Sequence, residues 1–240
     1  MWKTVFVFLA VLLLAGCQTS RFKEIDGGWR DILSGNYAKA EADMEKVQAL
    51  DKELSNYDRS FVKYTLAVAK GRLCKTDEAG QLFKESIALE AKVSGEYSLN
   101  MGKRYHEAGR MYYAAERYEE AAFYFSRWVE VADRMYGYRE GLGPVGMAWT
   151  LYLYASALEK SGKTQEAERV REREERIIDL NRESQAMKAY LRNKDNGLAI
   201  ARGMVASVNG TLVPVVDVRE GIFGGYPKLS ECEKKNPVKE

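Results

Sequence analysis

The chain has few of the residues that build metal sites. Its 240 residues include one histidine and three cysteines, with four prolines. Structural zinc sites are built from about four cysteine and histidine ligands, so one histidine and three cysteines leave almost nothing to build a metal site with. An excess of one charge is also missing, because 37 lysines and arginines face 35 acidic residues. A nucleic-acid-binding domain usually carries a basic excess, so the net charge of +2 argues against that class.

The composition is nevertheless that of a folded protein. Hydrophobic residues make up 46% of the chain and charged residues 30%. Disordered chains have low hydrophobicity and collagen-like chains are rich in glycine and proline, so both classes are excluded. The length allows one or two domains and is sufficient to bury a core.

The N-terminus has the pattern of a cleaved secretion signal. Lys3 is followed by an apolar run at residues 5–14, which is shorter than the about 20 residues that cross a bilayer. The run ends in Leu14-Ala15-Gly16-Cys17, which closely resembles the bacterial lipobox. The resemblance implies that residues 1–16 are a signal peptide and that Cys17 is lipidated. The alternative is an ordinary secretory signal with an incidental cysteine.

The residue after the cysteine indicates in which membrane the protein is located. In lipoproteins an aspartate at this place is the usual cue for inner-membrane retention, whereas this chain has Gln18. The resemblance therefore implies the periplasmic face of the outer membrane. A triacylated cysteine would anchor the chain stably through residues 17–21, a lipidated linker.

The other two cysteines are Cys74 and Cys232. In an oxidising compartment they can form a disulfide that holds the C-terminal tail against the rest of the chain. The alternative is a buried, unreactive Cys74 and an exposed thiol at Cys232.

An internal repeat dominates the middle of the chain. Four segments combine a turn residue with an alanine, at residues 35–40, 75–79, 116–121 and 162–167, and successive alanines are 39, 42 and 46 residues apart. This pattern resembles the tetratricopeptide repeat (TPR), in the longer form found in kinesin light chains, over about residues 22–183. A generic array of helical hairpins is the alternative.

The TPR resemblance implies the fold class. It is an all-α, right-handed solenoid of about four helix pairs, within a repeat domain at residues 22–195. Small residues would let the helices of a pair approach closely, and Phe83 and Phe125 would fill the space toward the next repeat. The small residues are Ala67, Gly109 and Ala155 on first helices and Ala79, Ala121 and Ala167 on second helices.

Residues 196–240 have a different character. Two β-rich runs, at residues 204–208 and 211–216, flank Asn209-Gly210, which predicts a hairpin. Pro214 cannot donate a ladder hydrogen bond and indicates an edge strand. Such a hairpin must pack on the helices as a cap or on a partner. From Gly224 onward we expect a loosely ordered tail.

The sequence contains no convincing catalytic motif. The pattern G-x-G-x-x-G occurs at residues 141–146, but the phosphate-binding form needs a preceding strand, and here a helix is expected. The pattern S-x-x-K occurs at Ser60 and Ser20 without the motifs that accompany it in nucleophilic enzymes. We therefore predict a protein that is not an enzyme and binds no cofactor.

The resemblance implies a binding groove lined by first helices, as is common in TPR proteins. A stripe of aromatic and basic residues would line it, which suits a peptide with acidic or C-terminal carboxylate groups. The alternative for each residue is simple packing between repeats. The candidates are Phe61, Tyr64, Arg72, Lys103, His106, Arg110, Tyr113, Trp149 and Tyr152.

These features together predict a lipid-anchored scaffold that binds a partner protein or peptide in the bacterial envelope. One alternative is a regulator that recruits cell-wall enzymes. The other is a binder of glycans or small ligands that uses the tyrosine-rich groove, although ligand sites are usually more enclosed.

Overall fold

The computed structural model describes residues 24–136, 143–194, 205–208, 211–214 and 226–235. The predicted signal peptide at residues 1–16, the lipidation site Cys17 and the linker at residues 17–21 lie outside the described residues. So do Gly141 and Leu142, where the glycine-rich pattern begins, and the Asn209-Gly210 turn.

The described chain is a series of helices. They are residues 24–33 (α1), Tyr37–Gln48 (α2), Asn56–Arg72 (α3), Thr76–Ser94 (α4), Leu99–Ala114 (α5), Tyr118–Tyr136 (α6), Gly143–Lys160 (α7), Thr164–Asn181 (α8), Gln185–Lys194 (α9) and Leu229–Lys235 (α10). A 3-10 turn at Asp51–Glu53 precedes α3. The most extensive contacts join α3 to α4, α5 to α6 and α7 to α8. The prediction of an all-α solenoid of repeated helix pairs is thereby confirmed.

The same three-residue turn joins the two helices of each pair. Its middle residue has a positive φ every time, at Gly35 (77°), Cys74 (66°), Glu116 (59°) and Gly162 (81°). The residue after it donates a backbone hydrogen bond to a carbonyl five positions earlier, as from Lys75 to Lys70 at 2.9 Å. This is the Schellman ending of a helix, in which the left-handed residue lets the chain reverse. The recurring turn explains why each repeat begins its second helix at the same point.

The predicted small residues lie at the helix contacts. Ala67, Ala79, Ala121, Ala155 and Ala167 are all buried. At Gly109 a Cβ would lie 2.8 Å from the ring of Phe125, so this glycine permits close contact between α5 and α6. Phe83 and Phe125 are fully buried, as the repeat pattern predicts.

Serine caps fix the start of two first helices. The Ser55 hydroxyl accepts a hydrogen bond from the Asp58 amide at 3.1 Å, and the Ser98 hydroxyl accepts one from the Met101 amide at 3.1 Å. Each cap satisfies one of the amides that a helix N-terminus leaves without a partner.

The last helix pair is covered by α9, which contacts α7. Met187 and Tyr190 of α9 are fully buried, and the Tyr190 hydroxyl donates a hydrogen bond to Glu174 at 2.9 Å. This short helix therefore shields the apolar surface at the end of the repeats.

Two short strands follow α9 in the chain. Val205–Val208 (β1) and Thr211–Pro214 (β2) form an antiparallel ladder, with Val205 opposite Pro214. Packing of this ladder on the helices as a cap stays a prediction. The expectation of a loosely ordered tail after Gly224 is wrong for residues 229–235, which form α10.

Candidate partner-binding site

The first helices α3, α5 and α7 contact one another in succession and form one surface, called here the first-helix face. All nine predicted groove residues lie on these helices. Lys103 is exposed, whereas Phe61, His106, Tyr113, Trp149 and Tyr152 are partly buried and Tyr64, Arg72 and Arg110 are buried.

The aromatic members mostly contact other side chains of the protein. The Tyr64 ring lies 5.5 Å from that of Trp29 and 6.2 Å from that of Phe83, centroid to centroid. Phe61 also packs against Trp29, at 5.6 Å. These rings connect α1, α3 and α4, so the simple packing alternative describes Tyr64 and Phe61 well.

The aromatic residues nearer α7 form a second group. The Tyr113 and Ser156 hydroxyls share a hydrogen bond of 2.8 Å between α5 and α7. On α7, Trp149 stacks on Tyr152 with 5.5 Å between centroids.

His106 does not add positive charge to the face at neutral pH. Its ring packs against Phe125 and Trp128 of α6, at centroid distances of 6.4 and 5.7 Å. Burial, together with nearby Arg110, lowers the pKa of His106 from 6.5 to about 4. His106 therefore contributes a packed aromatic ring, without a positive charge, to the first-helix face near pH 7.

The two arginines of the stripe meet at a buried carboxylate that sequence reasoning missed. Arg110 donates a hydrogen bond from Nη1 to Glu107 Oε1 at 2.9 Å, and Arg72 Nη2 lies 3.6 Å from Glu107 Oε2. All three side chains are buried. The cluster of two cations and one anion has a net positive charge.

The cluster holds Glu107 in its ionised form. Burial alone would raise the pKa of this carboxyl, but Arg110, Arg72 and a hydroxyl from the tail keep that pKa below its ordinary value. Glu107 therefore acts as a hydrogen-bond acceptor at neutral pH.

That hydroxyl belongs to Tyr226, just before α10. Tyr226 donates a hydrogen bond to Glu107 Oε2 at 3.1 Å. Its ring centroid lies 3.8 Å from the guanidinium carbon of Arg72 and 5.9 Å from that of Arg110. Within the described part of the chain, none of the Arg72 guanidinium nitrogens donates a hydrogen bond. The Arg72 cation is therefore stabilised by the tyrosine ring and by Glu107.

The ring of Tyr226 fits because Gly71 has no side chain. A Cβ on Gly71 would lie 2.8 Å from Cε1 of Tyr226 and 3.1 Å from the Met111 sulfur. We call the site that holds this ring the tyrosine pocket, and the residues around it are Gly71, Arg72, Glu107, Arg110 and Met111.

A disulfide fixes the tail near the pocket. Cys74 and Cys232 are bonded, with their Cα atoms 5.4 Å apart. Cys74 lies two residues after Arg72, and Cys232 lies six residues after Tyr226. The disulfide and the tyrosine thus attach the same short segment at two neighbouring points, one in the turn after α3 and one on the first-helix face.

Two features of the sequence predict part of this site. Glu107 stands three residues before Arg110, a spacing that brings two side chains of a helix together. The pairing of Cys74 with Cys232 would place the tail beside α3. Neither signal identifies Tyr226 as the residue that enters the pocket.

Metal-ligand clusters and membrane-spanning helices are absent from the described residues. Among them, no group of three histidine, cysteine or carboxylate side chains is placed to hold a metal ion. The helices within the described ranges are also too short or too polar for any of them to traverse a membrane.

No protein-family model matches this chain, and no curated protein is significantly similar to it in sequence. Several solved structures are similar in fold, and two of them are compared with this chain. One is BtubC (BKLC) from P. vanneervenii, with a TM-score of 0.54 and 19% identity over 63% of this chain. The chain spans 60% of the length of BtubC.

The other consists of kinesin light chain-like TPR repeats from Podosopora anserina. The TM-score is 0.55, with 20% identity, 72% of this chain covered and 86% of the other. At these identities the similarity concerns the fold alone. The chain therefore has a TPR-like helical-repeat fold.

Proposed function

We propose that this protein is an interaction scaffold that binds an extended segment of a partner protein on its first-helix face. The observation that carries the proposal is the tail itself. Tyr226, one of three irregular residues that precede α10, lies on α3 and α5 and anchors the tail there by its aromatic side chain. An aromatic anchor in a desolvated pocket is typical of binding hot spots.

We further propose that Cys17 carries the lipid anchor and that the scaffold faces the periplasm from the outer membrane. The support is the sequence Leu14-Ala15-Gly16-Cys17. The disulfide between Cys74 and Cys232 supports a periplasmic location, because disulfides persist in oxidising compartments.

Site-specific photocrosslinking in cells tests the scaffold. A photoreactive residue at Lys103, which is exposed on α5, should capture a partner protein. The matched control is Leu180 on α8, which is 81% exposed and lies on a second helix. Capture from both positions, or from neither, would contradict binding on the first-helix face.

Fractionation of cells that produce a Cys17 variant tests the proposed lipid anchor. Cys17→Ser should move the protein from the membrane fraction to the soluble periplasmic fraction. If the variant stays with the membrane after a salt wash, lipidation at Cys17 is not the anchor.

The crosslinked product separates the alternatives. Capture of a cell-wall enzyme at Lys103 would favour the alternative that the protein recruits such enzymes. A protein that binds glycans would give no protein adduct. The glycan alternative has one specific support, the stacked Trp149 and Tyr152, which are both partly exposed.

A further inference from the structure

We propose that the tyrosine pocket recognises an unphosphorylated tyrosine in the partner segment, and that the chain's own tail occupies this pocket until a dithiol reductant opens the Cys74–Cys232 disulfide. The inference rests on the proposed function, because it names the feature that the first-helix face would recognise. It also assigns a role to the disulfide.

The chemistry of the pocket selects tyrosine. Arg72 packs over the face of the ring, the gap at Gly71 admits the ring, and Glu107 accepts the hydroxyl hydrogen bond. Phenylalanine would fill the same space but leave Glu107 Oε2 without that donor. Phosphotyrosine would have to place a phosphate where the hydroxyl now lies 3.1 Å from Glu107 Oε2, a space that admits no further group without forcing two anions into contact.

Two attachments hold the described part of the tail, residues 226–235, to the helices. Tyr226 is anchored in the pocket and Cys232 is bonded to Cys74. Between them Pro227 is partly buried and the side chains of residues 228–231 are all exposed. Opening the disulfide would therefore leave the tyrosine as the main described attachment of this segment, and exchange with a competing tyrosine becomes feasible.

The closed disulfide makes the tail a strong competitor. A short tether gives a bound group an effective concentration of about millimolar or more. A partner peptide at micromolar concentration cannot displace a group tethered in this way. The oxidised protein should therefore be closed to partners at this pocket.

The opening step is an ordinary dithiol exchange. A thiolate of the reductant attacks one sulfur of the Cys74–Cys232 bond and forms a mixed disulfide, and its second thiol then displaces the protein sulfur. Two electrons and two protons pass to Cys74 and Cys232, which become thiols, while the reductant becomes a disulfide. Both cysteines are partly exposed, so a reductant has access.

Fluorescence polarisation with the full-length chain tests the proposal. The probe is a labelled synthetic peptide with the sequence of residues 222–231, which contains Tyr226 and no cysteine. A variant with Tyr226→Ala and Cys232→Ser has the pocket vacated. We expect this variant to bind the probe at least about tenfold more tightly than the oxidised wild type, as removal of a tethered competitor requires.

Two altered probes test the chemistry. A probe with phenylalanine in place of Tyr226 should bind the vacated variant about tenfold more weakly, which is the usual effect of one lost hydrogen bond to a charged group. A phosphotyrosine probe should also bind more weakly. Equal binding of all three probes would overturn the selection of tyrosine.

Pocket variants provide the matched controls. Adding Gly71→Ala to the vacated variant should abolish probe binding, because its Cβ occupies the space of the ring. Lys63→Ala, on the same helix but outside the pocket, should leave binding unchanged. If the vacated variant does not fold by circular dichroism, wild type treated with dithiothreitol takes its place.

Two results would overturn the proposal. One is a folded, vacated variant that does not bind the probe, and the other is oxidised wild type that binds it equally well. Should either occur while Lys103 still captures a partner in cells, the scaffold function stands and only this assignment of the pocket fails.

Discussion

Arg104 and Glu90 form a salt bridge in the interior, with 2.9 Å between Nη2 and Oε2. The pair joins α5 to α4, and both side chains are almost completely buried, at 3% and 0% exposure. Arg104 also donates hydrogen bonds to the hydroxyls of Ser60 and Ser86, each at 2.8 Å. The guanidinium is therefore satisfied by a carboxylate and two serines from neighbouring helices.

Removing one member of this pair should be costly. Glu90→Gln leaves the Arg104 cation buried without its counter-charge, and we expect a loss of about 3–5 kcal/mol in the free energy of unfolding. Urea denaturation followed by circular dichroism measures the loss. The matched control is Lys188→Ala, which breaks an exposed pair with Glu183 and should cost at most about 1 kcal/mol. Similar losses for both variants would show that the interior pair has no special role.

Replacing two glycines of α5 by alanine, one at a time, should change the free energy of unfolding in opposite directions. At Gly109 a new Cβ would lie 2.8 Å from the Phe125 ring, and we expect Gly109→Ala to destabilise by about 1–3 kcal/mol. At Gly102 the nearest atom is Val131 Cγ1 at 3.5 Å, an ordinary contact distance. Gly102→Ala should therefore stabilise, by up to about 1 kcal/mol from helix propensity.

Thermal and urea unfolding of the two variants side by side checks this prediction. Because both positions are in the same helix, differences in propensity cancel and the comparison isolates the contact with Phe125. Destabilisation of equal size at both positions would contradict it.

The repeat pattern in the sequence predicts the fold because contacts between residues close in the sequence determine each helix pair. Ala79, Ala121 and Ala167 recur at the start of each second helix, and each is buried as the pattern requires. The pair formed by Glu107 and Tyr226 is different, since 119 residues separate them. Helical periodicity places Glu107 on a face of α5 but does not reveal what covers that face. The tail covers it, so residues chosen as an open groove, such as Arg72 and Arg110, are buried.

Four turn residues that join the two helices of a described pair have a positive φ. Two are glycines and one is the disulfide-bonded Cys74, whereas the fourth is Glu116. Its φ is 59° and its side chain is exposed. A residue other than glycine pays about 1 kcal/mol in this left-handed region, so Glu116→Gly should stabilise the protein. Glycine also gains entropy in the unfolded chain, which reduces the expected gain to about 0.5 kcal/mol.

Urea denaturation of Glu116→Gly against Glu116→Ala separates the backbone effect from loss of the carboxylate. Alanine should give no gain, because it keeps the steric cost of the left-handed conformation. Stabilisation by alanine as large as that by glycine would locate the effect in the charge instead.

His106 should make stability depend on mild acid. The pKa of His106 is lowered to about 4 in the folded protein by burial and by Arg110, and its ordinary value is 6.5. Between these values the unfolded chain binds more protons than the folded one, so the free energy of unfolding falls as the pH decreases from 6.5 to 4. The fall levels off below pH 4 and amounts to about 3 kcal/mol at most. Urea midpoints across this pH range measure it, with His106→Gln as the control. Glu107 Oε1 lies 3.9 Å from His106 Nδ1, and against the effect of burial the pKa of Glu107 is lowered by Arg110, Arg72 and His106. The histidine is therefore compared in the upper part of the range, where Glu107 stays ionised in both proteins. Parallel profiles for the two proteins would mean that His106 is protonated as easily in the folded chain as in the unfolded one.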